Sequence, residues 1–356
     1  MATRAGTAGR DPDSRDKPSS PSEITKSSWS YLLRRSFHEF GRDQCTDSAA
    51  VMTFFAVLSV FPGMLTVVSL LGVVGQAEAT TATILRLLDE FGAPDGAVAV
   101  LEGPIHELAD FSSAGLALAA SLVGALWTAS GYVRAFARAM NRIYEVEEGR
   151  PIWKLYPMMI GVTVSLVILV VAMMLMLLLS GPIAARLGAV VGLSESALQL
   201  WNTLRVPVLL GLLTFMIAVL YYATPNIHQP KFRWLSPGSL LAIVVMIAAT
   251  AGFNVYVSHF SNYNATYGAI GGVLVLLLWL WIMNIVLLAG AEFNAEIERA
   301  RELQAGITAE GTLRLPPRDV RASRRLQDKE QDLVDEGRRL RENHAHAETA
   351  PAEAPR

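Results

Sequence analysis

Charged side chains recur at four-residue intervals where two apolar segments of the chain end. The first segment continues into Arg134, Arg138 and Arg142, and the second continues into Glu292 and Glu296. Residues four apart lie on one face of a helix, so each set forms a short charged stripe. Opposite charges on facing helices can form an ion pair that is structural or that gates a passage.

Other polar or helix-breaking residues lie in apolar segments, where their presence needs a physical reason. Asn284 precedes Glu292 by two turns, and it either lines a polar pathway or makes an interhelical hydrogen bond. Pro62 has no backbone donor, so it predicts a kink in the first apolar segment. Tyr267 and Gly268 stand at the start of the last segment, where glycine predicts the close approach of another backbone.

Sequence signatures of enzymes are missing. The chain contains no P-loop, no Gly-x-Ser-x-Gly motif and no His–carboxylate cluster with metal-ligand spacing. Cys45 is the single cysteine, so the chain can form no internal disulfide and no cysteine-based metal site. The net charge of −2 gives no sign of a polyanionic partner. We predict no catalytic residue, no metal, no cofactor and no nucleic-acid partner.

Six segments are each long and apolar enough to cross a bilayer, whose hydrocarbon core of about 30 Å needs roughly 20 helical residues. They are Ala49–Gly75, Ala114–Ala135, Pro157–Gly181, Val206–Ala223, Pro237–Val257 and Ala269–Ala291. Lipid offers no water to backbone groups, so these segments must be helical. Only 17% of the residues are charged, whereas soluble domains average about 25%. We predict an all-α polytopic membrane protein with six transmembrane helices.

Lysine and arginine are distributed unevenly between the two sides of these segments. One side carries ten of them, Lys26, Arg34, Arg35, Arg42, Arg138, Arg142, Arg150, Lys154, Lys231 and Arg233. The other side carries Arg86, Arg186 and Arg205. Because cytoplasmic loops are enriched in these residues, both termini are predicted to be cytoplasmic.

With this orientation, Arg134 and Glu292 reach the same depth near the inner boundary, because both of their helices run from outside to inside. The sequence leaves two arrangements open. Either the two side chains pair where solvation is poor, or each extends separately to the lipid headgroups.

Four parts of the chain differ in character. Residues 1–28 are polar and predicted to be disordered, and residues 29–48 are predicted to form a basic amphipathic helix on the cytoplasmic face. A plain extension of the first transmembrane helix is the alternative for this second part. Residues 49–297 form the predicted membrane domain, in which residues 76–113 carry two short amphipathic helices over the outer face. Residues 298–356 are predicted to be a charged cytoplasmic tail, partly helical and then disordered.

Four stretches, Ala49–Gly72, Leu126–Tyr144, Thr224–Gly238 and Tyr263–Asn294, together resemble one family. This is the YihY/BrkB family of bacterial inner-membrane proteins. Its patterns include a Pro-Asn turn, a Tyr-Gly pair before the last segment and a closing Leu-x-Gly-Ala-Glu. Here these patterns read Pro225 and Asn226, Tyr267 and Gly268, and Leu288–Glu292, and Pro62 and Asn141 also match. The resemblance covers about residues 29–300 and implies a multi-pass protein of the bacterial inner membrane.

The resemblance implies little about chemistry. The family's older label, ribonuclease BN, is in our interpretation a misattribution, and the family is also associated with serum resistance and with lipid export. It supplies no catalytic residues to transfer. The candidate functional or gating residues are therefore its motif positions and the polar membrane residues, namely Arg134, Asn141, Asn284, Glu292, Pro62, Pro225, Asn226, Tyr267 and Gly268.

Transport of a lipid or another amphiphile is the function that we predict, with membrane lipids as partners. The scarcity of charge in the middle of the segments argues against an ion-coupled pump for strongly charged solutes. The alternative is a non-transporting membrane scaffold that organises an envelope complex through its tail. A ribonuclease would need a general acid–base pair or metal-held carboxylates, which the cytoplasmic loops do not offer.

Overall fold

The computed structural model of the chain describes residue 23 and residues 25–73, 114–178, 194–228, 236–259 and 264–349. Eight α-helices account for most of these residues, and we number them along the chain. They are α1 (Lys26–Arg42), α2 (Cys45–Val73), α3 (Ala114–Ile143), α4 (Ile152–Leu178), α5 (Glu195–Ala223), α6 (Pro237–His259), α7 (Asn264–Gln304) and α8 (Arg321–Thr349). Within these ranges the only β-type contact is a single bridge between Ile227 and Pro317. The described part of the chain is all-helical, as the sequence predicts.

The described part of each of the six predicted apolar segments lies within one of the helices α2–α7. Among the described residues, four helical stretches are long and apolar enough to cross a membrane, namely Ile152–Leu177, Glu195–Ala223, Pro237–Val257 and Gly271–Gln304. The described apolar stretch of α2, Cys45–Val60, is shorter. Large apolar side chains such as Ile168 and Leu175 on α4 are more than half exposed, as lipid contact requires. The chain is therefore a multi-pass membrane protein.

The buried core lies at one end of the bundle, the end that the sequence assigns to the cytoplasm. Phe136 on α3 stacks on Tyr221 of α5, with ring centroids 6.1 Å apart. Small residues bring the helices close to one another in two places. The Cα of Gly131 on α3 faces the ring of Phe55 on α2, and Gly238 on α6 faces the backbone of Gly290 on α7.

The inner end of α7 extends well beyond the last predicted transmembrane segment. It continues to Gln304, and α1 packs against it through Leu32, which is fully buried with Ile297 and Ala300. Trp29 of α1 contacts the ring of Phe293, at 6.1 Å between centroids. The N-terminal helix is thus separate from α2 and rests on the end of α7.

Residues 305–320, which we call the strap, return from the end of α7 to the membrane helices. The sequence predicts a charged cytoplasmic tail from residue 298, but within the strap the side chains of Ile307, Ala309 and Leu313 are buried. The irregular backbone of the strap also pairs with the α5–α6 connection, because the N–H of His228 donates to the carbonyl of Pro316 at 2.8 Å. Of the two parts of the predicted tail that follow α7, the strap is partly buried, whereas α8 is exposed along most of its described length. The tail therefore begins at residue 321.

Several predictions concern residues outside the described ranges. These are the disorder of residues 1–22, the two short helices within residues 76–113, and the disorder of the last residues, 350–356.

Candidate functional site

Two of the predicted candidate residues meet at the inner end of the bundle. Asn141, near the end of α3, accepts a hydrogen bond at Oδ1 from the backbone N–H of Asn226, 2.7 Å away. Asn226 follows α5 and is fully buried. Its Nδ2 donates to the carbonyl oxygens of Glu147 and Asp319, each at 2.9 Å. Asn226 therefore joins the α3–α4 connection, the α5–α6 connection and the strap.

Arg150 and Gly149 complete this junction. Arg150 is almost fully buried and forms a bidentate pair with Glu148, at 2.8 Å from Nε to Oε1 and 2.6 Å from Nη2 to Oε2. Its Nη2 also donates to the carbonyl of Thr224 at 2.7 Å. A side chain on Gly149 would collide with the backbone carbonyl of Asp319. The buried polar groups of this junction have hydrogen-bond partners, as polar groups with a structural role do.

A second polar cluster lies deeper in the bundle around Asn284. Its Oδ1 accepts from the hydroxyl of Tyr132 at 2.9 Å, and its Nδ2 donates to Oγ1 of Thr53 at 3.0 Å. The Thr53 hydroxyl in turn donates to the carbonyl of Ala49 at 2.8 Å. Of the two interpretations of Asn284 from the sequence, the interhelical hydrogen bond is confirmed, and it joins α2, α3 and α7.

The same asparagine also lines a cavity of about 950 Å³ in the membrane part of the bundle. The cavity lies among the six helices α2–α7, and its walls are mainly aliphatic, as Val167, Leu213 and Met216 show. Its polar side chains are few and uncharged, namely Ser59, Tyr132, Thr163, Thr250, Asn254 and Asn284. Among the described residues on its walls, none is an acid, a base or a histidine. The chemistry of the cavity suits an apolar chain with few polar contacts.

Buried charges gather around Arg299, at the inner end of α7. Arg299 is 1% exposed, and it donates to Oε1 of Glu296 at 2.8 Å, to Oε1 of Glu145 at 3.2 Å and to the carbonyl of Ala309 at 2.9 Å. The second oxygen of Glu145 accepts from the N–H of Leu313 at 2.8 Å. One arginine thus connects α7, the end of α3 and the strap.

Glu292 lies one turn before this cluster and is 1% exposed. Its Oε2 accepts no hydrogen bond from the described residues. The buried carboxyl groups of Glu39 and Glu296 are at the same end of the bundle, and Arg35 pairs with Glu39 at 3.1 Å. The described residues include no group of three or more acids, cysteines or histidines that could hold a metal ion.

Two acids outside the membrane helices have shifted pKa values. Burial, together with the carboxylates of Glu39 and Glu145, raises the pKa of Asp43 to about 6. The backbone N–H and the guanidinium of Arg321 lower the pKa of Asp319 to about 2. Asp43, in the turn between α1 and α2, therefore changes its charge near pH 6, whereas Asp319 stays ionised.

Arg134 and Glu292 do not form the ion pair that is one of the two arrangements left open by the sequence. The guanidinium of Arg134 instead lies over the rings of Trp127 and Tyr156, 5.2 and 5.1 Å from their centroids, and its Nε donates to the carbonyl of Ser130 at 3.3 Å. Tyr132 faces α7 through its bond to Asn284. Two residues later a helix has turned by about 200°, so Arg134 faces away from α7.

The remaining candidate residues lie apart from these clusters. Pro62 is inside α2, which continues past it to Val73, and its Cβ lies 3.7 Å from where a Cβ of Gly124 would be. Pro225 precedes Asn226 in the buried connection after α5. Tyr267 and Gly268 are in the first turns of α7.

The structure adds residues that the sequence analysis does not select, chiefly Arg299, Arg150 and the pair Gly238 and Gly290. A partial signal exists for Arg299, which follows Glu296 by three residues on a helix. The Pro-Gly pair at 237 and 238 marks a helix start rather than a crossing. No sequence spacing connects Arg150 with Thr224, because their contact depends on the tertiary fold.

Comparison with known sequences gives a match along most of the chain. The family model described as "Virulence factor BrkB" matches residues 36–311. The chain is 28% identical over 272 residues to "Putative ribonuclease-like protein YfkH" of Bacillus subtilis, which covers 76% of this chain and 97% of that protein. No solved structure matches.

Two relatives named "UPF0761 membrane protein" are longer than this chain. The one from Alkalilimnicola ehrlichii is 29% identical over 285 residues, which cover 75% of this chain and 59% of that protein. The one from Ralstonia nicotianae is 30% identical over 287 residues, which cover 76% of this chain and 59% of that protein. The chain thus spans about three fifths of the length of these two relatives.

Proposed function

Because the chain belongs to the BrkB family of bacterial membrane proteins, we propose that it translocates a lipid or another amphiphile across the inner membrane. The observation that carries this proposal is the cavity among α2–α7. At about 950 Å³ it is at the upper end of the range of ligand pockets. Its aliphatic walls suit an acyl chain, while Tyr132 and Asn284 offer a few polar contacts.

The composition of the cavity also favours an amphiphile over a charged solute. Pumps for charged solutes place ionisable side chains deep in the bundle. The described residues that line this cavity include none, and the buried charges of Arg299, Glu292 and Glu296 lie outside its lining, further along α7. The ribonuclease-like name belongs to the Bacillus relative. We do not extend that activity to this chain.

The topology that we propose has six transmembrane helices, α2–α7, and two cytoplasmic termini. The excess of lysine and arginine on one side supports this orientation. A reporter inserted within residues 93–110 and a reporter fused after residue 349 should therefore lie on opposite sides of the membrane. Alkaline phosphatase and fluorescent-protein fusions measure this directly. Reporters on the same side would contradict both the orientation and the count of six.

Filling the cavity should block translocation. Val167 lines the cavity, whereas Val164 on the same helix does not, and the two have similar exposed fractions of 41% and 37%. In vesicles that contain fluorescent phospholipids, Val167→Trp should slow exchange between leaflets by about tenfold or more, because the larger side chain would occupy part of the cavity and a barrier higher by about 1.4 kcal/mol slows a rate tenfold. Val164→Trp should exchange lipid at the wild-type rate. A wild-type protein that does not accelerate exchange would contradict the proposal.

The scaffold alternative is separated by truncation in the same assay. A chain that ends at Val320 keeps the strap, whose contacts hold the bundle together, and removes only the exposed helix α8. Translocation should survive this truncation. The scaffold hypothesis would be favoured by a different result. In that case neither the full chain nor the truncated chain would exchange lipid, and the truncated chain would fold but lose its function in the cell.

A further inference from the structure

Arg134 and Arg138 differ from Arg142, the next arginine on the same face of α3. Arg142, one turn further along α3, donates to the carbonyl of Asp43 at 3.1 Å and to Oε1 of Gln44 at 3.3 Å. By contrast, no carboxylate among the described residues lies within ion-pair distance of Arg134 or Arg138. Two positive charges one helical turn apart therefore remain without a protein counter-ion, and they repel each other.

Aromatic rings hold the first of these arginines in place. The Arg134 guanidinium lies 5.2 Å from the ring centroid of Trp127 and 5.1 Å from that of Tyr156. Stacking uses the flat faces of a guanidinium and leaves the N–H groups at its edge free to donate. The only hydrogen bond that the described residues accept from it uses Nε, so the Nη donors of Arg134 are available.

The position of these residues identifies the anion that they meet. Trp127 is 60% exposed and Tyr156 is 36% exposed. Tryptophan and tyrosine with exposed rings concentrate where lipid headgroups begin. Arg138, one turn nearer the cytoplasm, is also exposed. The two cations thus lie at headgroup depth, on the lipid-facing surface of α3 and α4, where the abundant anion is a phosphodiester.

We propose that Arg134 and Arg138 form a binding site for the phosphate of an anionic phospholipid headgroup at the cytoplasmic boundary of α3 and α4. Guanidinium groups bind phosphate through two parallel N–H donors, so two of them one turn apart can hold one phosphate from two sides. The site rests on the proposed orientation but not on translocation, because lipid can bind here without entering the cavity.

Native mass spectrometry of the full chain in neutral micelles tests this site. Dioctanoyl phosphatidylglycerol, dioctanoyl phosphatidylcholine and inorganic phosphate are titrated separately. We expect phosphatidylglycerol to bind about tenfold more tightly than phosphatidylcholine, as one charge-assisted contact of about 1.4 kcal/mol would give. The double variant Arg134→Gln, Arg138→Gln should lose this preference. Arg142→Gln, whose guanidinium already has protein acceptors, should keep it.

Two further measurements make the result decisive. The single variant Arg138→Gln changes only an exposed side chain, so it should fold as the wild type does and should weaken the preference by itself. Equal binding of the two phospholipids, or a preference that the double variant retains, would overturn the proposal. Inorganic phosphate that binds as tightly as phosphatidylglycerol would also overturn it, because the ligand would then be a soluble anion.

Discussion

Replacing Gly290 with alanine is expected to lower the melting temperature of the purified protein by about 3–10 °C. A Cβ at this position would lie 2.5 Å from the carbonyl oxygen of Gly238 and 2.6 Å from the Tyr221 hydroxyl. Neither group can move away freely. The Tyr221 hydroxyl donates to the carbonyl of Leu287 at 2.5 Å, and the N–H of Gly238 donates to Oδ1 of Asn294 at 2.8 Å. The collision therefore outweighs the better helix propensity of alanine.

The matched control is Gly211→Ala. Gly211 is also inside a helix, α5, but a Cβ there would meet no atom within 4 Å. Alanine should leave the melting temperature unchanged or raise it, because it is preferred over glycine in a helix by about 1 kcal/mol. Thermal unfolding in detergent, followed by fluorescence, measures both variants. If Gly290→Ala and Gly211→Ala have the same melting temperature, then α6 and α7 do not cross at Gly238 and Gly290.

The second large effect is expected at Arg299. Substitution by alanine would remove the cation that pairs with Glu296 and Glu145, which would leave Glu145 without an ion-pair partner and Glu296 with only the more distant Arg35, at 3.7 Å. Breaking a buried ion pair from one side costs about 3–5 kcal/mol. Hydrogen exchange should also become faster in the strap, because the bond from Arg299 to the carbonyl of Ala309 is lost.

Arg301→Ala is the control, two residues further along the same helix. Arg301 pairs with Glu298, and both side chains are partly exposed, at 17% and 18%. Pairs of this kind contribute about 0–1 kcal/mol. The double variant Arg299→Ala, Glu296→Gln should be more stable than Arg299→Ala alone, since it leaves one unpaired charge fewer. Equal losses in Arg299→Ala and Arg301→Ala would show that the buried cluster does not support the fold.

The sequence predicted how far along its helix each charged side chain lies better than it predicted which neighbouring helix that side chain faces. Arg134 and Glu292 do lie near the same end of the bundle, and apolar length and charge placement suffice for that inference. Which side of each helix faces a neighbour is set by packing, for example by Tyr132 against Asn284. That packing turns Arg134 towards Tyr156 rather than towards α7. A spacing of four residues places charged side chains on one face of a helix, but it does not show which residues that face contacts.

The strap shows a different limit of sequence patterns. Its buried residues, Ile307, Ala309 and Leu313, follow neither a helical nor a strand period, and charged residues surround them. Periodicity is the main signal of structure in a single sequence, so an irregular segment that packs on other loops resembles a solvated tail. Asn141 and Asn226 were selected from the family pattern, and only the fold explains them, as two ends of one hydrogen bond.

The contacts of the strap also imply an order of folding during synthesis of the chain. Its partners, Asn226 after α5 and Glu145 after α3, leave the ribosome long before Leu313 and Asp319 do. During synthesis the inner ends of α3 and α5 must therefore wait with open hydrogen-bonding positions until the last helix is in the membrane. The strap can dock only after the last helix has been made, and a chain that stops before residue 305 would leave those positions without these partners.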